Sequence, residues 1–147
     1  YKGKKRVTLG DILEKGKVDE EFYIDKSSLP KWEYLKGSKK EKRVTSSGFE
    51  YNYAEGAMIF PDDLKKPSRT IITSEGGASP SRFRHVVKTK SGLRRLTPLE
   101  LERLNMFPDN FTKLEDVSNS RRGFLMGNAL VVGIVKKIAN QLIKAIY

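Results

Sequence analysis

The sequence predicts an α+β chain: a small, irregular, β-rich lobe followed by two C-terminal helices. Three observations carry this. Short β-branched and aromatic runs at residues 49–53, 69–73 and 82–87 are separated by turns bearing glycine and proline. Thr97-Pro98-Leu99-Glu100 has the form of a capping box. Residues 130–146 repeat apolar side chains at helical spacing.

Taken in order, Thr8 to Glu14 reads as a short turn or helix, and residues 20–25, with Phe22, Tyr23 and Ile24, as a short extended segment. Ser27-Ser28-Leu29-Pro30 is a cap and turn leading into residues 31–35. Trp32 and Tyr34 there are expected to pack rather than to stack on bases. Residues 37–43 form a lysine-rich run that reads as a solvated surface loop. Phe49-Glu50-Tyr51-Asn52-Tyr53 alternates as a half-exposed strand does, and the run from Ala57 to Phe60 is stopped by Pro61. Residues 69–73 read as a buried strand, residues 74–81 as a loop, and residues 82–87 as a strand with Phe83, His85 and Val87 on one face. Ser91-Gly92 is the next turn.

The two helices have distinct signals. In the first, Thr97 caps, Pro98 takes the first helical position, and Glu100 reaches back, with Leu101 and Leu104 on the buried side. Pro108 ends it near Met106, because the residue before a proline is disfavoured in helical geometry. The second is expected to be capped by Asn128. Its stripe is Leu130, Val131, Ile134, Val135, Ile138, Leu142, Ile143 and Ile146, faced by Lys136, Lys137 and Lys144. That stripe must bury against something, either the core of this chain or a larger domain outside it.

The 147 residues carry a formal charge of +11, which favours a polyanionic partner; an acidic membrane surface and simple basic solubility are the rival explanations. No apolar run is long enough to cross a membrane, and no apolar core follows the basic residues 2–6 as it would in a signal peptide. The chain has no cysteine and one histidine, His85, so a disulfide, a thiolate metal site and a Cys–His catalytic pair within it are all excluded; no metal is expected. A chain that begins at Tyr1 is expected to be part of a longer protein.

Two motifs sit close together near the end. Arg94, Leu96, Thr97, Pro98, Glu100, Arg103, Leu104, Phe107 and Pro108 match the pattern R-x-L-T-P-x-E-x-x-R-L-x-x-F-P. Some twenty residues on stands Gly127-Asn128-Ala129-Leu130. In this order and spacing they resemble the closing motifs of the DNA (cytosine-5) methyltransferases. Leu125 stands where the family often has glutamine, and Leu130 where it has valine. Residues 8–25 resemble the passage after the family's catalytic core. Thr70-Ile71 and the loop after it resemble its target-recognition region.

The resemblance implies three parts: a connecting segment (residues 1–36), a target-recognition region (37–92), and a C-terminal helical segment (93–147) that returns to an α/β, Rossmann-like methyltransferase domain. It implies S-adenosylmethionine as cofactor, with Gly127, Asn128 and Ala129 at the pocket edge, and double-stranded DNA as partner. Arg94, Thr97, Glu100, Arg103, Phe107 and Pro108 would be the structural motif. The family's glycine-rich, Pro-Cys, Glu-Asn-Val and Gln-x-Arg-x-Arg segments are absent. Its chemistry needs thiolate attack on a flipped-out cytosine, so this stretch by itself is expected to be inactive. The missing N-terminal catalytic region would belong to the same enzyme or to a separate subunit. A cytoplasmic, bacterial or phage-encoded restriction–modification enzyme is the expected setting. A stand-alone basic nucleic-acid-binding module is the alternative.

Within the recognition region, arginine gives bidentate contacts to guanine, and a carboxylate can accept from cytosine N4. Arg82 and Arg84, with Arg69 before them, flank the loop Ser74-Glu75-Gly76-Gly77-Ala78-Ser79-Pro80-Ser81. Either they read bases or they touch phosphate only. Ser74, Ser79 and Ser81 offer hydroxyls, and Gly76 and Gly77 allow close approach of the backbone. Glu75 is either a base reader or a turn residue paired with arginine. Tyr53 and Glu55 are further candidates, and His85 is expected to be a strand side chain rather than a base.

Overall fold

The computed structural model describes residues 6–146. Tyr147 and most of the basic run at residues 2–6 lie outside the described residues. The chain opens with α1 (Leu9–Ile12), a single 3-10 turn (Glu20–Phe22) and α2 (Leu29–Lys36). A ribbon of β1 (Lys39–Val44) and β2 (Glu50–Glu55) follows, and later a hairpin of β3 (Val86–Thr89) and β4 (Gly92–Arg95). The chain closes with α3 (Pro98–Leu104), α4 (Asn119–Asn128) and α5 (Val132–Ile146). Both sheets are two-stranded and antiparallel.

The core joins pieces far apart in sequence. Leu9 and Ile12 of α1, Val87 of β3, Leu96, Leu101 of α3 and Met126 of α4 form one buried cluster, with Ile71, Leu104 and Phe107 packed against it. The capping box of α3 forms as the sequence implies: the Glu100 N–H donates to Thr97 Oγ1 at 3.3 Å and the Thr97 N–H donates to Glu100 Oε2 at 2.9 Å.

Five expectations need correction. Residues 20–25 form a 3-10 turn, and only Tyr23 bridges in extended fashion, to Arg94. The lysine-rich run expected as a loop over residues 37–43 is a strand from Lys39 on, because residues 39–44 pair in register with β2, from Lys39 opposite Glu55 to Val44 opposite Glu50. Residues 69–73 are not a strand: among the described residues no segment offers them a ladder, and Ile71 and Ile72 are only half-buried. The strand expected over 82–87 begins only at Val86, with Phe83 52% exposed while His85 and Val87 are buried.

The fifth correction concerns the end of the chain. Three helices stand there, not two, and Asn128 is the last residue of α4 rather than the cap of α5. Its side-chain amide donates back to the Phe124 carbonyl at 2.9 Å. Ser118 caps α4 by accepting from the Arg121 N–H. α4 is hard to see in sequence because Gly123 and Gly127 each weaken helix propensity by about 1 kcal/mol. The stripe of α5 finds no core: none of its residues is buried, and Ile134, Ile138, Leu142 and Ile146 are 55–73% exposed.

Candidate recognition loop and cofactor edge

Residues 72–79 form an irregular loop whose shape is fixed from within. Its floor is α4. Gly123 and Gly127 stand one turn apart on that helix, and the loop backbone lies directly on them. A Cβ on Gly127 would come within 2.5 Å of Thr73 Cα and 2.6 Å of the Ile72 carbonyl carbon. One on Gly123 would lie 2.5 Å from Gly76 Cα, and one on Gly76 would lie 2.5 Å from the Ser120 carbonyl oxygen. Backbone meets backbone here because the glycines have no side chains to hold them apart.

Two buried ionisable residues hold the loop from the other side. Glu75 is 2% exposed, and its Oε1 accepts from the His85 backbone N–H at 2.6 Å and lies 2.9 Å from His85 Nδ1. The other His85 nitrogen meets Ser68 Oγ at 3.1 Å. Arg84, 8% exposed, donates to the carbonyls of Ser74, at 2.5 Å, and Ser79, and to Ser79 Oγ at 3.1 Å. Its guanidinium thus fills the inside of the loop, where a Cβ on Gly77 would collide with it.

The other two arginines expected beside this loop are also engaged within the protein. Arg69 pairs with Asp62 in a two-pronged contact, at 2.7 and 3.2 Å, and donates to the Phe83 carbonyl. Burial alone would raise the Asp62 carboxyl, but bonds from Arg69 and from the Val86 N–H outweigh it and hold the group below the usual range. Arg82 donates to the carbonyls of Leu35, Gly37 and Gly56 and pairs with Glu55 at 3.1 Å. Glu55 in turn accepts from Lys39 at 3.0 Å, and Tyr53 lies under the Arg43 guanidinium, 3.5 Å from ring centroid to carbon. Arg84 was expected to meet bases or phosphate, and Glu75 to read a base or to pair with an arginine in a turn; the polar atoms of both are enclosed, with Glu75 on His85 and Arg84 on loop carbonyls. Ser74 and Ser79 are exposed, and Ser81, Gly76 and Gly77 half-exposed.

Lys36 ties α2 to the same region. It is 1% exposed and its Nζ donates to the carbonyls of Arg82, at 3.1 Å, and Arg84, at 2.7 Å. Desolvation lowers its pKa to about 8, against the opposing pull of Asp62. Between pH 8 and the ordinary lysine value the unfolded chain keeps a proton that the folded chain has lost, so stability rises with pH there. The stability of the wild type relative to Lys36→Met is therefore expected to increase as pH is raised from 8 to about 10. Urea unfolding of the two proteins across that range measures it, and a constant difference would refute it.

The motif residues near the end hold the fold together around this loop. Arg94 and Glu100, 1% and 0% exposed, form a bidentate pair at 2.6 and 2.8 Å. Glu100 Oε1 also accepts from the Glu14 N–H, which joins α3 to the opening segment. Arg103 pairs with Asp109 at 2.6 and 2.8 Å and donates to the Ile12 carbonyl. Phe107 packs on Phe111, with ring centroids 4.9 Å apart, and the Pro108 carbonyl accepts from the Phe111 N–H. A second ionic cluster, missed at the level of sequence, links Glu102 to Arg122 at 3.0 Å and to Thr112.

A cleft of about 730 Å³ opens between α1, residues 68–71, the end of α3 and residues 127–131. Thr8, Ile71, Asn105, Phe107, Gly127 and Ala129 line it; Asn128 is exposed and is not among the lining residues. The Asn105 amide is committed to the Met126 carbonyl at 2.7 Å, so the wall is chiefly apolar surface and backbone. Ala129 and the Gly127 backbone lie along its rim.

The two closing motifs, the glycine-seated loop and the open cleft belong together. This chain is a member of the C-5 cytosine-specific DNA methylase family, whose model matches residues 1–144. It is 46% identical over 143 residues to the Type II methyltransferase M.Sau3AI of Staphylococcus aureus, a match covering 97% of this chain and 34% of that protein. With the Type II methyltransferase M.NlaX of Neisseria lactamica it shares 28% identity over 138 residues, 91% of this chain and 38% of the relative. The chain thus spans little more than a third of the length of these relatives. The crystal structure of the S. pombe Dnmt2 methyltransferase has the same fold over 99% of this chain and 44% of its own, with a TM-score of 0.66 at 15% identity. Among the described residues no helix is long and apolar enough to cross a membrane.

Proposed function

We propose that the chain is the C-terminal part of a DNA (cytosine-5) methyltransferase of a restriction–modification system, acting in the cytoplasm. It supplies sequence recognition and one wall of the S-adenosylmethionine pocket. The observation that carries this reading is α5, a helix of 15 residues with a full apolar stripe and no buried residue, placed beside the open cleft. Burying one large apolar side chain is worth about 1.5–3 kcal/mol, so such a row has its seat on another body. That body is the catalytic domain, which carries the cysteine this chain lacks.

On this reading, residues 1–36 connect to the catalytic core, residues 37–92 face the DNA, and residues 93–147 return to the catalytic domain. S-adenosylmethionine, when bound, supplies the methyl group. The small Ala129 side chain and the Gly127 backbone form its edge, and Ile71 and Phe107 exclude water there. Asn128 is not among the residues lining the cleft and acts at the end of α4 instead. Ser74, Ser79 and Ser81 offer hydroxyls to DNA. Arg84 and Glu75 shape the loop, and Arg69, Arg82 and Glu55 tie the segments around it together, rather than reading the bases. Tyr53 braces the β1–β2 ribbon.

Joining the chain to an upstream segment that carries the Pro-Cys nucleophile, in one polypeptide or as two, is expected to give methyl transfer to cytosine in duplex DNA. The chain alone is expected to give none. Labelled-methyl incorporation into mixed-sequence duplexes measures both. No transfer by the joined enzyme would overturn the reading; activity only when the halves are made separately would mark a split enzyme.

A further inference from the structure

We propose that one face of the β1–β2 ribbon, carrying Lys40 and Lys42, grips the phosphate backbone of duplex DNA. This rests on the methyltransferase reading above and assigns to the ribbon a contact that the recognition loop does not make.

The two faces of the ribbon differ. Side chains alternate along a strand, and directly paired residues share a face. One face therefore holds Lys39, Glu41, Arg43, Tyr51, Tyr53 and Glu55. Its charges answer one another: Lys39 pairs with Glu55 at 3.0 Å, and Arg43 pairs with Glu41 at 2.6 Å while stacking on Tyr53. Arg82, reaching Glu55, ties that face to the body of the protein.

On the other face Lys40 lies opposite Ala54, Lys42 opposite Asn52, and Val44 opposite Glu50. All six residues are exposed. Among the described residues no ion pair joins Lys40 or Lys42 to a carboxylate; Glu50, the one acidic residue on that face, sits at the far end, next to the turn. Two strand residues on one face stand about 6.6 Å apart, close to the spacing of successive phosphates on one strand. An exposed face with two cations outside any ion pair and small or neutral neighbours fits a polyanionic backbone. It has no apolar pocket for a protein side chain.

The ribbon buries no apolar side chain, and its other face is the one anchored to the body, through Arg82–Glu55 and the Lys39 bond to the Leu35 carbonyl, which leaves the lysine face to solvent. Lysines on exposed strands also serve to discourage edge pairing, and that is the competing explanation.

The test uses the active enzyme that contains this chain, so that its methyl transfer to DNA first verifies the underlying reading. Lys40→Gln/Lys42→Gln removes two charges and no described contact, and should unfold at the wild-type temperature. Binding to duplexes of unrelated sequence is measured across a salt series. The expected result is uniformly weaker binding at low salt, and a plot of log K against log salt whose slope is shallower by about 1.8. Lys40→Arg/Lys42→Arg should keep the wild-type slope. An unchanged slope with more aggregation would assign the lysines to edge protection and overturn the proposal. A loss confined to one target sequence would also overturn it, because phosphate contacts carry no sequence preference.

Discussion

Gly127→Ala is expected to lower the melting temperature of the chain by about 5 °C and to open residues 72–77 to protease. The alanine Cβ would meet Thr73 Cα at 2.5 Å and the Ile72 carbonyl, and backbone on both sides cannot yield as a side-chain tip would. Overpacking of this kind costs roughly 1–3 kcal/mol, and each kcal/mol moves a domain of this size by about 2–4 °C. Alanine favours helix over glycine by about 1 kcal/mol, so the predicted loss is what remains after that gain. Gly123→Ala should behave alike, since its Cβ would lie 2.5 Å from Gly76 Cα. Gly16→Ala is the control: nothing lies within 4 Å of its added carbon, and its melting temperature should hold. If Gly127→Ala melts with the wild type, the loop is not seated on α4 as described.

Glu100→Ala is expected to be more damaging still. It would leave the Arg94 guanidinium, 1% exposed, without its counter-charge, and would strip the N–H groups of Thr97 and Glu14 of their acceptor. Breaking a buried pair from one side costs about 3–5 kcal/mol. The double replacement Arg94→Met/Glu100→Met should cost less than the sum of the single changes, because it removes both buried charges together. Urea unfolding of the wild type, Arg94→Met, Glu100→Met and the double variant decides this. Additive losses would mean that the pair is not coupled.

Several parts of the molecule were legible from sequence because their causes are local. The capping box of α3 lies within Thr97 to Glu100, and the stop near Met106 follows from Pro108. The stripe of α5 is visible as spacing alone. Other parts were misread because their causes lie far off in the chain. Lysine-rich residues 39–44 look like a solvated loop until β2 supplies the ladder. Isoleucines 71 and 72 look like a strand, yet among the described residues no strand pairs with them, and the chain rests on glycines some fifty residues later. Arg69, Arg82 and Arg84 look like a basic rim, but carbonyls and carboxylates of distant segments take up their donors. No pattern in the loop marks Glu75 as buried, since only the fold brings His85 against it.

The sequence by itself determined the family, through two motifs whose residues and spacing are written along the chain. It also excluded a cysteine nucleophile or a disulfide within these residues, because no cysteine is present. The tertiary structure alone decided which charges face outward and which are tied down, and that Gly127 seats the loop on a helix. The reason is physical: a cap or an apolar stripe is set by neighbours within a few residues, whereas the surroundings of an arginine or a glycine depend on which remote backbone the fold lays against it.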